Sequence, residues 1–124
     1  MSSSLSPTLV DVLVGLQESC RRVERVTSVT SREKLRTDEI TQLAMTKAVE
    51  QIGETCNRIL LKFPDFVAAN PDLALKEAAA MRHRLVHGYD TIEFDTLWDT
   101  ATVSVPDMHN RVAAILDRVG EDRC

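Results

Sequence analysis

The chain is poor in the residues that build sheets and tight turns. Its 124 residues include four glycines, four prolines and 4% aromatics, and no stretch alternates Val, Ile or Thr with polar residues over the length of a strand. This leaves no material for a sandwich, barrel or mixed sheet, and an all-α fold is expected. Cysteine is also scarce. Cys20, Cys56 and Cys124 are odd in number, far apart and in no CxxC pair, which argues against a disulfide framework or a cysteine-built zinc site and favours a reducing compartment. No apolar run approaches the roughly 20 residues that cross a bilayer. Residues Met1 to Pro7 are Ser-rich and uncharged rather than basic and then apolar. A cytoplasmic protein without membrane contact is the expectation. An excess of positive charge is missing too: 15 Lys and Arg stand against 19 Asp and Glu, a net charge of -4. Coating nucleic acid by bulk charge is therefore disfavoured, and any RNA contact has to be local.

The apolar residues that are present, 44% of the chain, recur at helical spacing. They are enough for one core, so a single domain over residues 1–124 is expected, with residues 1–6 flexible. Ser6 and Pro7 form a helix-start signal, followed by Leu9, Val12, Leu13, Leu16, Cys20 and Val23 to about Val26. Thr27 to Thr37 reads as a connection in which Ser31 caps a turn closed by Glu33. From Asp38 a long spine helix shows the stripe Ile40, Leu43, Ala44, Ala48, Ile52, Cys56, Ile59, Leu60 and Phe63. Gly53, in mid-helix, marks a tight crossing with another backbone, and Glu54 beside it is assigned to either a solvated face or a cleft. Asn70 and Pro71 repeat the start signal for a helix with Ala74, Ala78, Met81 and Leu85 inward and its end near Gly88. A brief helix around Asp95 to Thr102 carries Trp98, a residue for core or dimer packing. Ser104 and Pro106 introduce a last helix, with Met108, Val112, Ile115, Leu116 and Val119 inward and Gly120 at its close. Short connections imply an antiparallel bundle of about four to five helices. Five acids and no Lys or Arg lie between Asp90 and Asp107.

Chemistry concentrates in Met81-Arg82-His83-Arg84-Leu85-Val86-His87-Gly88-Tyr89, which holds two histidines, two arginines and the only tyrosine. At about 100° per residue the stripe centres on Met81 and Leu85, so His83 and His87 fall roughly opposite the core. Arg82 lies at the stripe's edge, from where its stem can follow the apolar border and bring the guanidinium near His87. Gly88 turns the chain and leaves Tyr89 accessible. An imidazole titrating near neutrality and a fixed guanidinium suffice to cleave a phosphodiester whose nucleophile is RNA's own 2′-hydroxyl. His83 and His87, four apart, also have zinc-ligand spacing, but without the Glu of HExxH or an evident third ligand, metal is not the first choice. No cofactor is implied.

At these residues the sequence resembles the HEPN superfamily, whose signature is an Arg, a polar residue, a few positions and then a His. Arg82-x4-His87-Gly88-Tyr89 is similar to the HepT toxin group, the partners of MNT-type nucleotidyltransferases. Asp38, Ala48-Val49, Ile52-Gly53-Glu54, Trp98 and Pro106 extend the likeness over about residues 8 to 118. His83 stands where many relatives have Asn, and a Pro-Trp pair common before the motif helix is replaced by the region of Leu73 to Leu75. The resemblance implies a HEPN-like bundle that pairs as a homodimer and an endoribonuclease toxin acting on RNA. Arg82 and His87 would be catalytic, His83 and Arg84 would assist or bind substrate, and Tyr89 would accept AMP from the nucleotidyltransferase that neutralises the toxin. The alternative is a non-catalytic module that binds the nucleotidyltransferase and presents Tyr89 or a nucleotide. A zinc hydrolase, lost to chelators, is a third class.

Overall fold

The computed structural model describes residues 5–123, and among these the chain is helical with no strand. Its α-helices are α1 (Pro7–Ser28), α2 (Arg32–Thr37), α3 (Glu39–Lys62), α4 (Pro64–Ala69), α5 (Leu75–His87), α6 (Phe94–Asp99) and α7 (Val105–Arg123). The four longer ones, α1, α3, α5 and α7, form the bundle expected from the sequence. Of the six-residue helices, α6 falls where the brief helix carrying Trp98 is expected and α2 follows the expected Ser31 cap, whereas α4 is too short to leave a periodic stripe. Of the start expected to be flexible, residues 1–4 lie outside the described residues. Leu5 packs on the core and Ser6 caps α1, its hydroxyl accepting the Leu9 N–H at 3.1 Å. Ser31 caps α2 in the same way through Lys34.

Asp38 caps α3. Its carboxylate accepts both the N–H and the hydroxyl of Thr41, at 2.9 and 2.7 Å, and those bonds hold it below the usual carboxylate range. The spine packs α1 on one side through Leu13, Leu16, Cys20 and Val23, all fully buried. Its own inward residues are Met45, Ala48, Val49, Ile52, Cys56 and Ile59. The first part of the expected stripe faces outward instead: Ile40 is 77% and Leu43 52% exposed. Leu43 and Met45 lie about 160° apart around the helix, so only one of them can face the core. Met45 takes that place. Cys20 and Cys56 meet in the interior as free thiols, and burial pushes both up to about 12.

The start of α5 differs from the sequence expectation. Asn70 makes no cap bond to the following turn; its amide donates back to the Phe66 carbonyl at 3.0 Å, closing α4. Residues Pro71–Leu73 form a 3-10 turn, and Ala74 takes a left-handed conformation with φ 56°. That kink separates the turn from α5 and buries Leu73 and Leu75 on either side of an exposed Ala74. After α5, Tyr89–Thr91 make a second 3-10 turn.

No break separates α6 from α7. Residues Thr100–Ser104 widen into a π-helical stretch and the backbone stays right-handed from Asp99 to Val105. Proline lacks an N–H and its ring clashes with the carbonyl four residues back, and a widened turn relieves both. Pro106 therefore sits inside a continuous helical run rather than after a loop. α7 continues through Gly120 to Arg123.

Candidate functional site

The α3–α5 crossing is the most extensive helix contact of the bundle, and it fixes the site. Its centre is Gly53. A Cβ built there would lie 2.6 Å from the Ala78 carbonyl oxygen and 3.3 Å from the Arg82 Cα, and it would collide with the Arg82 Cβ. Only glycine lets the two backbones approach this closely. The crossing expected at Gly53 is thus present, with Arg82 as the residue pressed into it.

Arg82 is half-buried, and its Nε is enclosed with no hydrogen-bond partner. Among the described residues no carboxylate pairs with it. Its stem is therefore held by packing against α3, and the terminal N–H groups of its guanidinium, beyond the enclosed Nε, have no acceptor among the described residues. Beside it in the chain His83, and just over one turn on His87, are both exposed, with ring centroids 4.6 Å apart and planes inclined by 48°. Neither imidazole has a hydrogen-bond or ion-pair partner among the described residues. Val86, on the same stretch, is 40% exposed.

Gly88 ends α5, its N–H donating to the Arg84 carbonyl at 2.8 Å. Its φ is −130°, so the turn uses glycine for space, not for a left-handed backbone: a Cβ would stand 3.1 Å from both the Arg84 carbonyl and the Thr91 hydroxyl. Thr91 closes the turn by donating N–H and hydroxyl to the Gly88 carbonyl, each at 2.9 Å. Tyr89 stands at its outer edge, 38% exposed.

Arg84 faces elsewhere. It rests a guanidinium nitrogen 3.8 Å from the Met81 sulfur and lines two adjoining grooves of about 590 and 310 Å³ between α5 and the α6–α7 run. Arg82, His83, His87 and Tyr89 line neither groove. The imidazole-bearing face of a single chain is thus an open surface. Glu54, next to Gly53, is exposed and unpaired among the described residues. Trp98 is half-buried against the core.

The acidic stretch after the motif, unexplained by sequence alone, is answered largely from α2 and α7. Arg32 donates to Asp95 and Asp99 at 3.3 and 2.7 Å, and Arg36 donates to Asp95 at 2.8 Å. Arg36, with Arg32, holds Asp95 below the usual carboxylate range. Arg111 takes Asp107. The third histidine, His109, was not a candidate; it is 2.9 Å from Glu24 and ties α7 to α1. Among the described residues no three of His, Cys, Asp or Glu converge on a common point.

Comparison with known proteins places the chain in a family. The family model described as Ribonuclease HepT-like matches residues 16–115. A protein of Thermococcus cleftensis named a probable ribonuclease HepT is 30% identical over 101 residues, covering 82% of this chain and 89% of its own. Proteins named provisionally as RNases in Caldanaerobacter subterraneus subsp. tengcongensis and Methanocaldococcus jannaschii are 27% identical over 103 residues and 29% identical over 115. These cover 83% and 92% of this chain, and 88% and 89% of their own length. No solved structure matches the chain significantly.

Proposed function

Because the chain belongs to the ribonuclease HepT-like family, we propose that it is an endoribonuclease that cuts RNA through its own 2′-hydroxyl, with Arg82 and His87 as catalytic residues. The observation that carries this reading is the contrast between them: Arg82 is wedged against Gly53 with no carboxylate partner among the described residues, while His87 stands just over one turn away in solvent. A cation fixed by packing, with its N–H groups unclaimed, suits the charge that builds up on the phosphate oxygens. An accessible imidazole suits proton transfer near neutral pH. In the step, the 2′-oxygen bonds to phosphorus, the bond to the 5′-oxygen breaks, one proton leaves the 2′-hydroxyl and one reaches the departing oxygen. The products are a 2′,3′-cyclic phosphate and a 5′-hydroxyl.

Those two protons sit on opposite sides of the phosphorus in an in-line displacement, and one imidazole serves only one side at a time. The homodimer supplies the second. Two open faces brought together would form the cleft that one chain lacks, and exposed Ile40, Leu43 and Val86 offer apolar surface for the contact. Two copies of Arg82 then concentrate positive charge on RNA despite the negative whole. His83 assists from the same face. Arg84, on the groove side, binds substrate backbone beyond the cleft. Tyr89, exposed two residues from His87, is the AMP acceptor by which an MNT-type nucleotidyltransferase neutralises the toxin in the cytoplasm. The added phosphate and purine would fill the cleft and pair with its arginines.

The test is cleavage of RNA by the purified protein, with end-group analysis for the cyclic phosphate. No cleavage by the purified wild type, with Arg82→Ala and His87→Ala as toxic to growth as the wild type, would leave the non-catalytic partner module as the reading; cleavage that survives in both variants would remove Arg82 and His87 from the catalytic roles. Intact mass after co-expression with a nucleotidyltransferase should rise by whole AMP units in the wild type and not in Tyr89→Phe.

A further inference from the structure

We infer that His83 and His87 form a two-imidazole chelate for a divalent transition-metal ion of the zinc class, and that the bound ion silences the site. The geometry is what points to it. Zinc holds imidazole nitrogen at about 2.0–2.1 Å, and the centre of the ring lies about 1.1 Å beyond that nitrogen. Each ring centre then stands about 3.1–3.2 Å from the ion. An N–Zn–N angle between roughly 90° and the tetrahedral value separates the two centres by about 4.4–5.2 Å. The observed separation, 4.6 Å, lies within that window with no change of backbone.

Helix α5 provides this spacing directly, since residues four apart stand one above the other on the same face. Neither ring is engaged by a carboxylate or a backbone carbonyl among the described residues, so no existing bond has to break before an ion is bound. With no third His, Cys, Asp or Glu converging on the pair among the described residues, the remaining coordination positions go to water. This describes a reversible site rather than a structural zinc site. Imidazole selects Zn²⁺, Ni²⁺ and Cu²⁺ over Mg²⁺ and Ca²⁺.

The consequence for activity rests on the proposed role of His87, whereas the binding does not. An imidazole whose lone pair is held by a metal ion cannot take a proton, so an occupied pair has no general base. His83 is what makes this possible, because a lone His87 offers one ligand and no chelate. The metal's effect is the reverse of that in a zinc hydrolase: chelators should raise activity.

Untagged, chelator-stripped protein titrated with Zn²⁺ by calorimetry, with Mg²⁺ in parallel, tests the site. One Zn²⁺ per chain and no Mg²⁺ is expected. Loss of one of two ligands should weaken binding by about 10- to 100-fold, no less than the loss of an outer-shell partner does at other zinc sites. That weakening is expected in His83→Asn and again in His87→Asn, with helicity by circular dichroism unchanged because both side chains are exposed. Equal Zn²⁺ affinity in wild type and both variants, or one ion per two chains, would overturn the intrachain chelate. In the RNA assay, Zn²⁺ should suppress cleavage by the wild type and EDTA should restore it, while His83→Asn keeps its own rate in the same Zn²⁺. Tight binding without suppression overturns the silencing. If the metal-free wild type cuts no RNA, the nuclease reading fails and the calorimetry still decides the chelate.

Discussion

Arg32 and Arg36 on α2 reach across to Asp95 and Asp99, whereas Arg82 and Arg84 on α5 have no carboxylate partner among the described residues. The first pair joins two short helices, and its charge is matched on the spot. The second pair keeps its charge unmatched, Arg82 through burial of its stem at the Gly53 crossing and Arg84 by lying over Met81. Arg22, Arg58 and Arg118 also have no carboxylate partner among the described residues, so what sets Arg82 apart is the burial of its Nε at the crossing. Between these two pairs the contrast is one of charge matched across two helices against charge left unmatched, a distinction that composition cannot make.

The largest effect that could break this comparison is on chemistry. Arg82→Ala and His87→Ala should each reduce RNA cleavage by about 10²- to 10⁴-fold, the usual worth of a positioned acid–base or electrostatic group, while the thermal transition stays cooperative. If both variants cut at the wild-type rate, the unmatched charge of α5 would have no catalytic meaning. Next comes the crossing itself. Gly53→Ala forces α3 and α5 apart, at a cost of about 2–3 kcal/mol, which lowers Tm by about 10 °C for a chain of this size. It should also reduce cleavage, because Arg82 moves with its helix. A variant with wild-type Tm would show that the crossing tolerates a methyl group.

On the structural side the effects are smaller. Arg36→Ala should shift Tm by about 2 °C or less, since the pair is exposed and screened by salt, and should leave RNA cleavage unchanged. A large loss of activity would mean that the α2–α6 network also shapes the site. The smallest effect concerns acid. Asp95, through its hydrogen bond from Arg36, and Asp38, through its bonds from Thr41, are held below the usual carboxylate range. A carboxyl group with a lowered folded-state pKa adds stability that is present above the unfolded value and is lost as pH falls through the folded one. Melting curves should therefore be flat in this contribution above about pH 5 and decline below 3.8. In Asp95→Asn that decline should be shallower.

Much of this could be read from the order of residues. The inward faces of α1 and α7, the caps at Ser6 and Ser31, the close approach at Gly53, and the outward placement of His83 and His87 all follow from local periodicity and cap chemistry. Four other features did not follow from it. Ile40 and Leu43 match the spacing of a core stripe, but the helix turns them away once Met45 takes the inward position. Asn70 and Pro71 carry a helix-start signal that is overridden because Ala74 adopts a left-handed conformation to bury Leu73 and Leu75 together. Pro106 looks like a boundary, yet a π-helical stretch absorbs it. Arg84, two residues from Arg82, turns to the groove side and not toward the imidazoles.

By itself the sequence determined that the chain is helical, that its apolar residues line one core, and that a cluster of imidazole and guanidinium lies at the end of one helix. These are consequences of spacing along a single helix, where each residue's direction is fixed by the residues four before and after it. The tertiary structure decided which arginines are matched and which are not, and that Arg82 is wedged against Gly53. It also left the imidazole face open rather than enclosed. Those outcomes depend on which helices meet, and contacts between residues far apart in the chain cannot be read from local periodicity.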